Sequence, residues 1–166
     1  MAQKTIKDLF TEEMRDTYSS ETQTAANLAK MIQAATSPQL KQLLQTHQGE
    51  SRQHVERLKQ AFQKLGVSPE GNFCEATEGL VAEAEQVMAE GLPGELLDVA
   101  LVMAAQKVEH YEIASYGSLH AVALSCGLGD VAKLLEQTLQ EEKAADEKLT
   151  KLAESEINKT AASKAA

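Results

Sequence analysis

The chain has 166 residues, 16 basic and 25 acidic side chains and a formal charge of −9, and its length is that of one domain. The negative charge repels phosphate groups and argues against nucleic acid as a partner, while 9 glycines and 3 prolines are too few for the turns of an all-β fold. Residues 1–6 lack the apolar core of a signal peptide, and no run approaches about 18 apolar residues, so we expect a cytoplasmic protein without a membrane partner.

Short breaks divide the chain into four long helices and one short helix. Thr5 and Asp8 form the pattern of a capping box before the first helix, and Ser37 followed by Pro38 marks the start of the second. Later breaks lie at 66–71, 91–94 and 127–130, and each contains glycine. These breaks predict helices at about 5–35, 38–65, 75–90, 95–126 and 130–155.

The lengths of the connections predict how the helices pair. Tight turns join the first two long helices and the last two, so each pair forms an antiparallel hairpin, and roughly 30 residues that include the short helix connect the hairpins. The sequence therefore predicts an all-α, ferritin-like antiparallel four-helix bundle, a single domain over residues 1–155 with a short extra helix in its long crossover. The polar tail 156–166 carries one large apolar residue, Ile157, and is expected to fray.

Carboxylates interrupt the apolar stripe of every long helix. At 100° per residue, the residues that lie within or at the edge of these stripes are Glu21, Glu50, His54, Glu109, Glu112, Glu142 and Asp146. Burying one unpaired carboxylate costs several kcal/mol, so a set from four helices needs a common explanation. Counted at 1.5 Å per residue from the two tight turns, all of them lie roughly 24 Å away, at one level near the middle of the bundle.

Converging carboxylates with an imidazole are what a pair of divalent cations requires, so the sequence predicts two Fe or Mn ions per chain. The usual Glu-x-x-His motif is altered, because Glu50 and His54 are four residues apart and Ala145 stands where a second histidine would be. Six carboxylates bring −6 against +4 from two ions, so one or two lie outside the ligand set or stay protonated. The predicted order of ligands is Glu21, Glu50, Glu112 and Glu142, then His54 and Glu109, then Asp146.

Several of these residues have simpler interpretations. The acidic core could be a buried polar network without metal, and His47, two turns from His54, is interpreted as a packed histidine that supports the site. Tyr18 and Tyr116, about one turn from Glu21 and Glu112, could hydrogen-bond a ligand or supply an electron, or could be core tyrosines. Cys74 and Cys126 form neither a disulfide framework nor a CxxC motif and are interpreted as buried thiols.

Four segments of the sequence resemble the YciE/YciF family, and its YciF branch most. They are AAQKVEHYEIASYG at 104–117, CEATEGL at 74–80, HVERL at 54–58 and EEKAAD at 141–146. The resemblance covers roughly residues 5–153. It implies a bundle with a rubrerythrin-like core, a homodimer and a link to bacterial stress responses. It also implies a dinuclear iron or manganese centre to which Glu109 and Glu112 contribute together, and catalase-like turnover of hydrogen peroxide.

Three functions remain open from the sequence. The first is an oxidoreductase that uses a dinuclear Fe or Mn centre to act on peroxide or oxygen. The second is a non-enzymatic dimeric stress protein in which a metal or the polar core is structural. The third is a ferroxidase that stores iron, which would require a closed shell of many subunits.

Overall fold

The computed structural model describes residues 3–164, and within that range it contains helices and turns but no strand. The helices are α1 (Ile6–Ala34), α2 (Pro38–Leu65), α3 (Glu75–Ala89), α4 (Gly94–Ser125), α5 (Gly129–Leu152) and α6 (Asn158–Lys164), with a π-helical turn (Ala153–Ile157) between α5 and α6. The predicted all-α fold is confirmed, and the predicted bounds of α1 to α4 agree within one residue or two. Across residues 3–164, no helix combines the length and apolar character needed to cross a membrane.

The four long helices pack as two hairpins. Helix α1 lies against α2 and α4, and α5 lies against the same two helices, so the four enclose a common core. The crossover helix α3 packs on α1 and α4 from outside this group. Short turns within each hairpin and one long crossover between them give the predicted antiparallel four-helix bundle.

Local sequence signals set the ends of the helices. At the start of α1 the Thr5 hydroxyl accepts from the backbone N–H of Asp8 at 3.2 Å, and the Asp8 carboxylate accepts from the backbone N–H of Thr5 at 2.8 Å. The Ser37 hydroxyl caps α2, whose first residue is Pro38. Helix α2 ends at Gly66, whose φ of 69° suits a residue without a side chain. The capping predictions at these two starts are therefore confirmed.

The C-terminal segment differs from the frayed tail that its polar composition predicts. The helix continues through the π-helical turn into α6, and both elements pack against α4. Ile157 and Ala161 lie one turn apart and are 4% and 7% exposed. Burial of these two apolar residues helps to dock the tail on α4, and Lys164 also pairs with Glu95. Residues 1–2 and 165–166 of the predicted regions lie outside the described range.

A polar layer divides the core into two apolar clusters. The cluster near the α1–α2 turn includes Leu28, Met31, Leu40, Leu44, Leu101 and Leu149. The cluster towards the other end includes Phe10, Met14, Leu58, Phe62, Leu119 and Leu135. The buried side chains between them include carboxylates, imidazoles and hydroxyl groups, and the apolar side chains on either side keep water away from these groups.

Candidate metal centre

Six acidic and imidazole side chains from all four bundle helices meet in the polar layer. They are Glu21 from α1, His47 and His54 from α2, Glu109 and Glu112 from α4, and Glu142 from α5. None of the six is more than 4% exposed. Spacings of seven residues on α2 and three residues on α4 place each pair on one face of its helix.

These side chains form two groups that share one carboxylate. One group is His47, Glu109, Glu112 and Glu142, and the other is Glu21, His54 and Glu142. In each group, one potential donor atom from every residue lies within 4.8 Å of the others. A carboxylate common to two donor groups is the arrangement in which one ligand can bridge two cations.

The donor atoms approach one another at ion-pair distances. His47 Nε2 lies 2.9 Å from Glu109 Oε1, and His54 Nδ1 lies 2.8 Å from Glu142 Oε1 and 3.2 Å from Glu21 Oε1. Even so, the buried atoms without a hydrogen-bond partner include His47 Nε2, His54 Nδ1, Glu109 Oε2, Glu112 Oε2 and both carboxylate oxygens of Glu142. Among these, Glu109 Oε2 and Glu112 Oε2 also lack an ion-pair partner within the described residues. Such orphaned oxygens are costly in an apolar core unless a cation or a proton satisfies them, so the residues fit a pair of divalent ions.

The charge state of the site reflects its burial. Burial raises the pKa of Glu21, Glu112 and Glu142, and the neighbouring carboxylates add to this effect. Burial alone would lower the pKa of each histidine, but Glu109 beside His47 raises the pKa of that ring, and Glu142 with Glu21 raises the pKa of His54 to about 10. Without a cation the site therefore holds protons, which a metal ion must displace.

The metal-free protein is expected to lose stability as the pH rises from about 4.5, the ordinary carboxyl pKa, towards about 10, the pKa reached by His54. A carboxyl group whose pKa rises above 4.5 on folding stabilises the protein below pH 4.5, and this contribution is lost as the pH rises through the folded value. The two histidines act in the same direction, since their pKa values rise above 6.5 on folding. Urea unfolding of chelator-treated protein across this range measures the slope.

Two observations would check this pH dependence. In Glu112→Gln one of the titrating carboxyl groups is gone, so the slope of unfolding free energy against pH is expected to be shallower. Metal-loaded protein is expected to show the opposite trend, because protons compete with cations for the same atoms as the pH falls. A metal-free protein with pH-independent stability in this window would contradict the assignment of raised pKa values.

Buried hydroxyl groups hold the carboxylates in place. The Tyr116 hydroxyl donates to Glu21 Oε1 at 2.7 Å, and the Ser51 hydroxyl donates to Glu21 Oε2 at 3.1 Å. The Thr24 hydroxyl donates to Glu112 Oε1 at 3.0 Å, which leaves Oε2 of that carboxylate free. Tyr116 thus contacts a candidate ligand, and a hydrogen bond of this kind orients the carboxylate that accepts it.

A line of hydrogen bonds connects the site to the crossover. The Ser20 hydroxyl lies 3.2 Å from Glu112 Oε1 and 2.7 Å from the Thr77 hydroxyl on α3. The Cys74 thiol contacts the Thr77 hydroxyl at 3.3 Å and the Tyr111 hydroxyl at 3.1 Å. Cys74 is buried as expected, and these contacts fasten the start of α3 to the bundle beside the site.

Nε2 of His54, on the outer side of the ring, contacts a carboxylate that forms a salt bridge with Arg57. His54 Nε2 lies 2.8 Å from a Glu141 carboxylate oxygen, and Arg57 donates to both oxygens of Glu141 at 2.8 and 3.2 Å. Arg57 also donates to the Thr138 hydroxyl at 2.6 Å. Because Glu141 and Arg57 fix the imidazole from outside, Nδ1 of His54 faces Glu21 and Glu142. Nothing in the sequence indicated that Glu141 would contact the outer nitrogen of His54 while its neighbour Glu142 lies among the donor atoms.

Three residues predicted at the site lie outside both donor groups. The Glu50 side chain is 27% exposed and lies 3.4 Å from His47 Nδ1, on the outer side of that ring. Asp146 accepts a hydrogen bond from Gln106 at 3.0 Å, and Tyr18 packs edge-on against Phe62 with 6.2 Å between ring centroids. Glu50 is turned about 60° around α2 from His47, which directs it to the edge of the core.

His47, which sequence analysis interpreted as a supporting histidine, belongs to a donor group, whereas Glu50 belongs to neither. His47 and His54 are seven residues apart, within about 20° of one helical face, and this repeat is the signal that could have identified both as site residues. The rings lie 6.4 Å apart between centroids. The site therefore extends along the bundle axis for two turns of α2, rather than lying at one level.

Comparisons with known proteins agree with this fold. The model of the family DUF892, described as a domain of unknown function, matches residues 5–162. Protein YciF of Escherichia coli strain K12 is 44% identical over 171 aligned positions, which cover 99% of this chain and 100% of that protein. The crystal structure of the E. coli stress protein YciF covers 95% of this chain and 99% of its own, with a TM-score of 0.91.

Two further solved structures are similar. YcfI of Rhodopseudomonas palustris, described as a candidate structural protein, is 44% identical and covers 89% of this chain and 94% of its own, with a TM-score of 0.86. A protein of Xanthomonas campestris pv. campestris is 22% identical and covers 98% of this chain and 100% of its own, with a TM-score of 0.79. At that identity the Xanthomonas protein supports the fold alone.

Proposed function

This chain belongs to the DUF892 family, and we propose that it is a stress-response protein whose core binds two Fe or Mn ions and acts on hydrogen peroxide. The stress assignment follows its likeness to YciF, which is named a stress protein. The observation that carries the metal assignment is the pair of buried donor groups sharing Glu142, with donor atoms that lack hydrogen-bond partners. The sequence resemblance to the YciE/YciF family is confirmed by the same comparisons.

The charge of the donor set supports two divalent ions. Four carboxylates, Glu21, Glu109, Glu112 and Glu142, bring −4 and balance +4 from the ions, with both histidines neutral as ligands. This balance supports a ligand set without Glu50 and Asp146, which lie outside both donor groups. A set dominated by carboxylates, with one imidazole in each group, suits Fe or Mn better than zinc or copper.

The surrounding residues define what the protein contributes to the reaction. The bound ions would supply the redox chemistry of peroxide turnover. Tyr116 and Ser51 hold Glu21, and Glu141 with Arg57 holds His54, so ligands on both sides of the site keep their orientation. Apolar clusters above and below exclude water and strengthen these electrostatic contacts.

The test is metal loading followed by a peroxide assay. Protein loaded without oxygen with Fe²⁺ or Mn²⁺ and then desalted is expected to keep about two ions per chain and to evolve oxygen from hydrogen peroxide. Free Mn²⁺ or Fe²⁺ at the same concentration is the control for activity in solution. If no ion is retained, or if the loaded protein is no faster than free metal, the peroxide function is wrong.

A non-enzymatic role is the second candidate, and the description of YcfI as a candidate structural protein favours it. In that case the metal, or the polar core itself, would stabilise the bundle without turnover. Loading would raise the melting temperature while peroxide consumption stayed at the level of free metal. We also propose a homodimer, which light scattering would test. A dimer would exclude iron storage, since storage requires a closed shell.

A further inference from the structure

Each of the two site histidines contacts a carboxylate on its outer side, and these two carboxylates differ in the number and length of the hydrogen bonds that hold them. Glu141 behind His54 accepts two hydrogen bonds from Arg57 and a third from Gln137 at 3.1 Å. Glu50 lies behind His47, and its nearest partners are His47 Nδ1 at 3.4 Å and Lys148 Nζ at 3.8 Å. Their side-chain exposures are nearly equal, at 27% for Glu50 and 29% for Glu141, so the two carboxylates differ in their hydrogen bonds and not in their exposure.

A small cavity lies where the loosely held carboxylate meets the core. Its volume is about 10 Å³, which is about the space for one water molecule, and its lining comes from α2 and α5. The lining includes Leu44, His47, Glu50, Ala145, Lys148 and Leu149. His47 is itself a member of the larger donor group, so this cavity adjoins the candidate metal centre from its outer side.

We propose that divalent cations enter the metal centre through this cavity, and that Glu50 collects them at the surface and passes them to the His47 side of the site. The inference rests on the proposed metal binding and adds its route. Glu50 combines negative charge, contact with solvent and weak tethering, which are the properties of a carboxylate that swings between solvent and core. Lys148 lies beside it as a positive charge that opposes the approach of a cation.

The firm contacts around Glu141 argue against entry on the other side. A cation passing there would have to displace the Arg57 guanidinium, which is itself positive and mostly buried. Arg57 therefore closes the His54 side both sterically and electrostatically. The sequence analysis assigned Glu50 as a ligand, and the structure supports a kinetic role for the same carboxylate.

The rate of manganese uptake tests this route. Metal-free protein is mixed with Mn²⁺, quenched with chelator at intervals and desalted, and the manganese per chain is measured. In Glu50→Gln uptake is expected to slow about tenfold with an unchanged final stoichiometry, and in Lys148→Gln it is expected to accelerate several-fold. Both differences are expected to shrink at high ionic strength, because salt screens charges near the surface.

A control variant and three contrary results separate a failure of the entry route from a failure of metal binding. Glu147→Gln removes an exposed carboxylate of α5 that pairs with Lys151, and it is expected to leave the rate unchanged. If the wild-type protein binds no Mn²⁺, the proposed function itself fails. If the wild-type protein binds two ions and Glu50→Gln fills at the same rate, the route is wrong. If Glu50→Gln instead loses an ion at equilibrium, Glu50 is a ligand and the kinetic role is also wrong.

Discussion

Glu142→Gln is expected to abolish retention of both ions, so that elemental analysis of the loaded and desalted variant finds well under one ion per chain. Glu142 is the one residue common to both donor groups, and its two oxygens are buried, with Oε1 facing His54 Nδ1 and Oε2 facing His47 Nε2. Glutamine keeps the shape of the side chain but replaces one oxygen with an N–H₂ group, which cannot bind a cation. The loss therefore reaches both ions, whereas loss of a ligand used by one group would leave the other ion bound.

The matched comparison for this variant is Glu21→Gln. Glu21 belongs only to the smaller donor group, with His54 and Glu142, so this variant is expected to retain about one ion per chain. Circular dichroism of both variants checks that the helices persist and that any loss of metal is not a loss of fold. If Glu142→Gln retains two ions, the shared-carboxylate arrangement is wrong.

Asp98→Ala is expected to destabilise the protein by about 3 kcal/mol, because this carboxylate joins α4 to the α1–α2 turn. Asp98 is 4% exposed, and it accepts hydrogen bonds from the backbone N–H groups of Thr36 at 2.7 Å and Ser37 at 2.8 Å. It also accepts from the Thr36 hydroxyl at 2.6 Å. Alanine would leave these donors without their charged acceptor, and hydrogen bonds to charged groups contribute about 1.5–3 kcal/mol each. Chemical denaturation measures the change in the free energy of unfolding.

Glu95→Ala provides the control on the same turn of α4. Glu95 makes a surface ion pair with Lys164, and such pairs contribute about 0–1 kcal/mol. A large difference between the two variants would assign the effect to the buried contacts of Asp98. Equal effects would mean that the turn is held by other contacts and that water replaces the carboxylate.

Much of the fold followed from local signals in the sequence. The capping pattern at Thr5 and Asp8, the pair Ser37 and Pro38, and the glycine at Gly66 all act on the backbone within a few residues, so each could be located from the sequence alone. Connection lengths then settled which helices are neighbours, because short turns allow only antiparallel pairs. The family motif in 104–117 agreed with these physical signals.

The candidate site was predictable to the level of helical faces but not of individual atoms. Glu21 and Glu112 lie within their apolar stripes and Glu142 lies at the centre of its own, and the structure places all three in the two donor groups that share Glu142. Glu50 lies at the edge of its stripe, about 60° from His47, and at that angle a small rotation of α2 decides which side chain faces inward. The partner residues Ser51, Arg57 and Glu141 carry ordinary surface or cap chemistry in the sequence and became recognisable only through their contacts.

The sequence by itself determined that this protein is a helical bundle in which each of the four long helices directs a carboxylate or a histidine inward, because hydrophobic periodicity and helix-end signals act within a few residues. Tertiary structure alone decided that His47 rather than Glu50 joins the donor atoms, and that Ile157 and Ala161 dock the tail on α4. Both outcomes depend on how far each helix is rotated and shifted against its neighbours. Packing of side chains between neighbouring helices sets that rotation, so it cannot be predicted from the sequence of one helix alone.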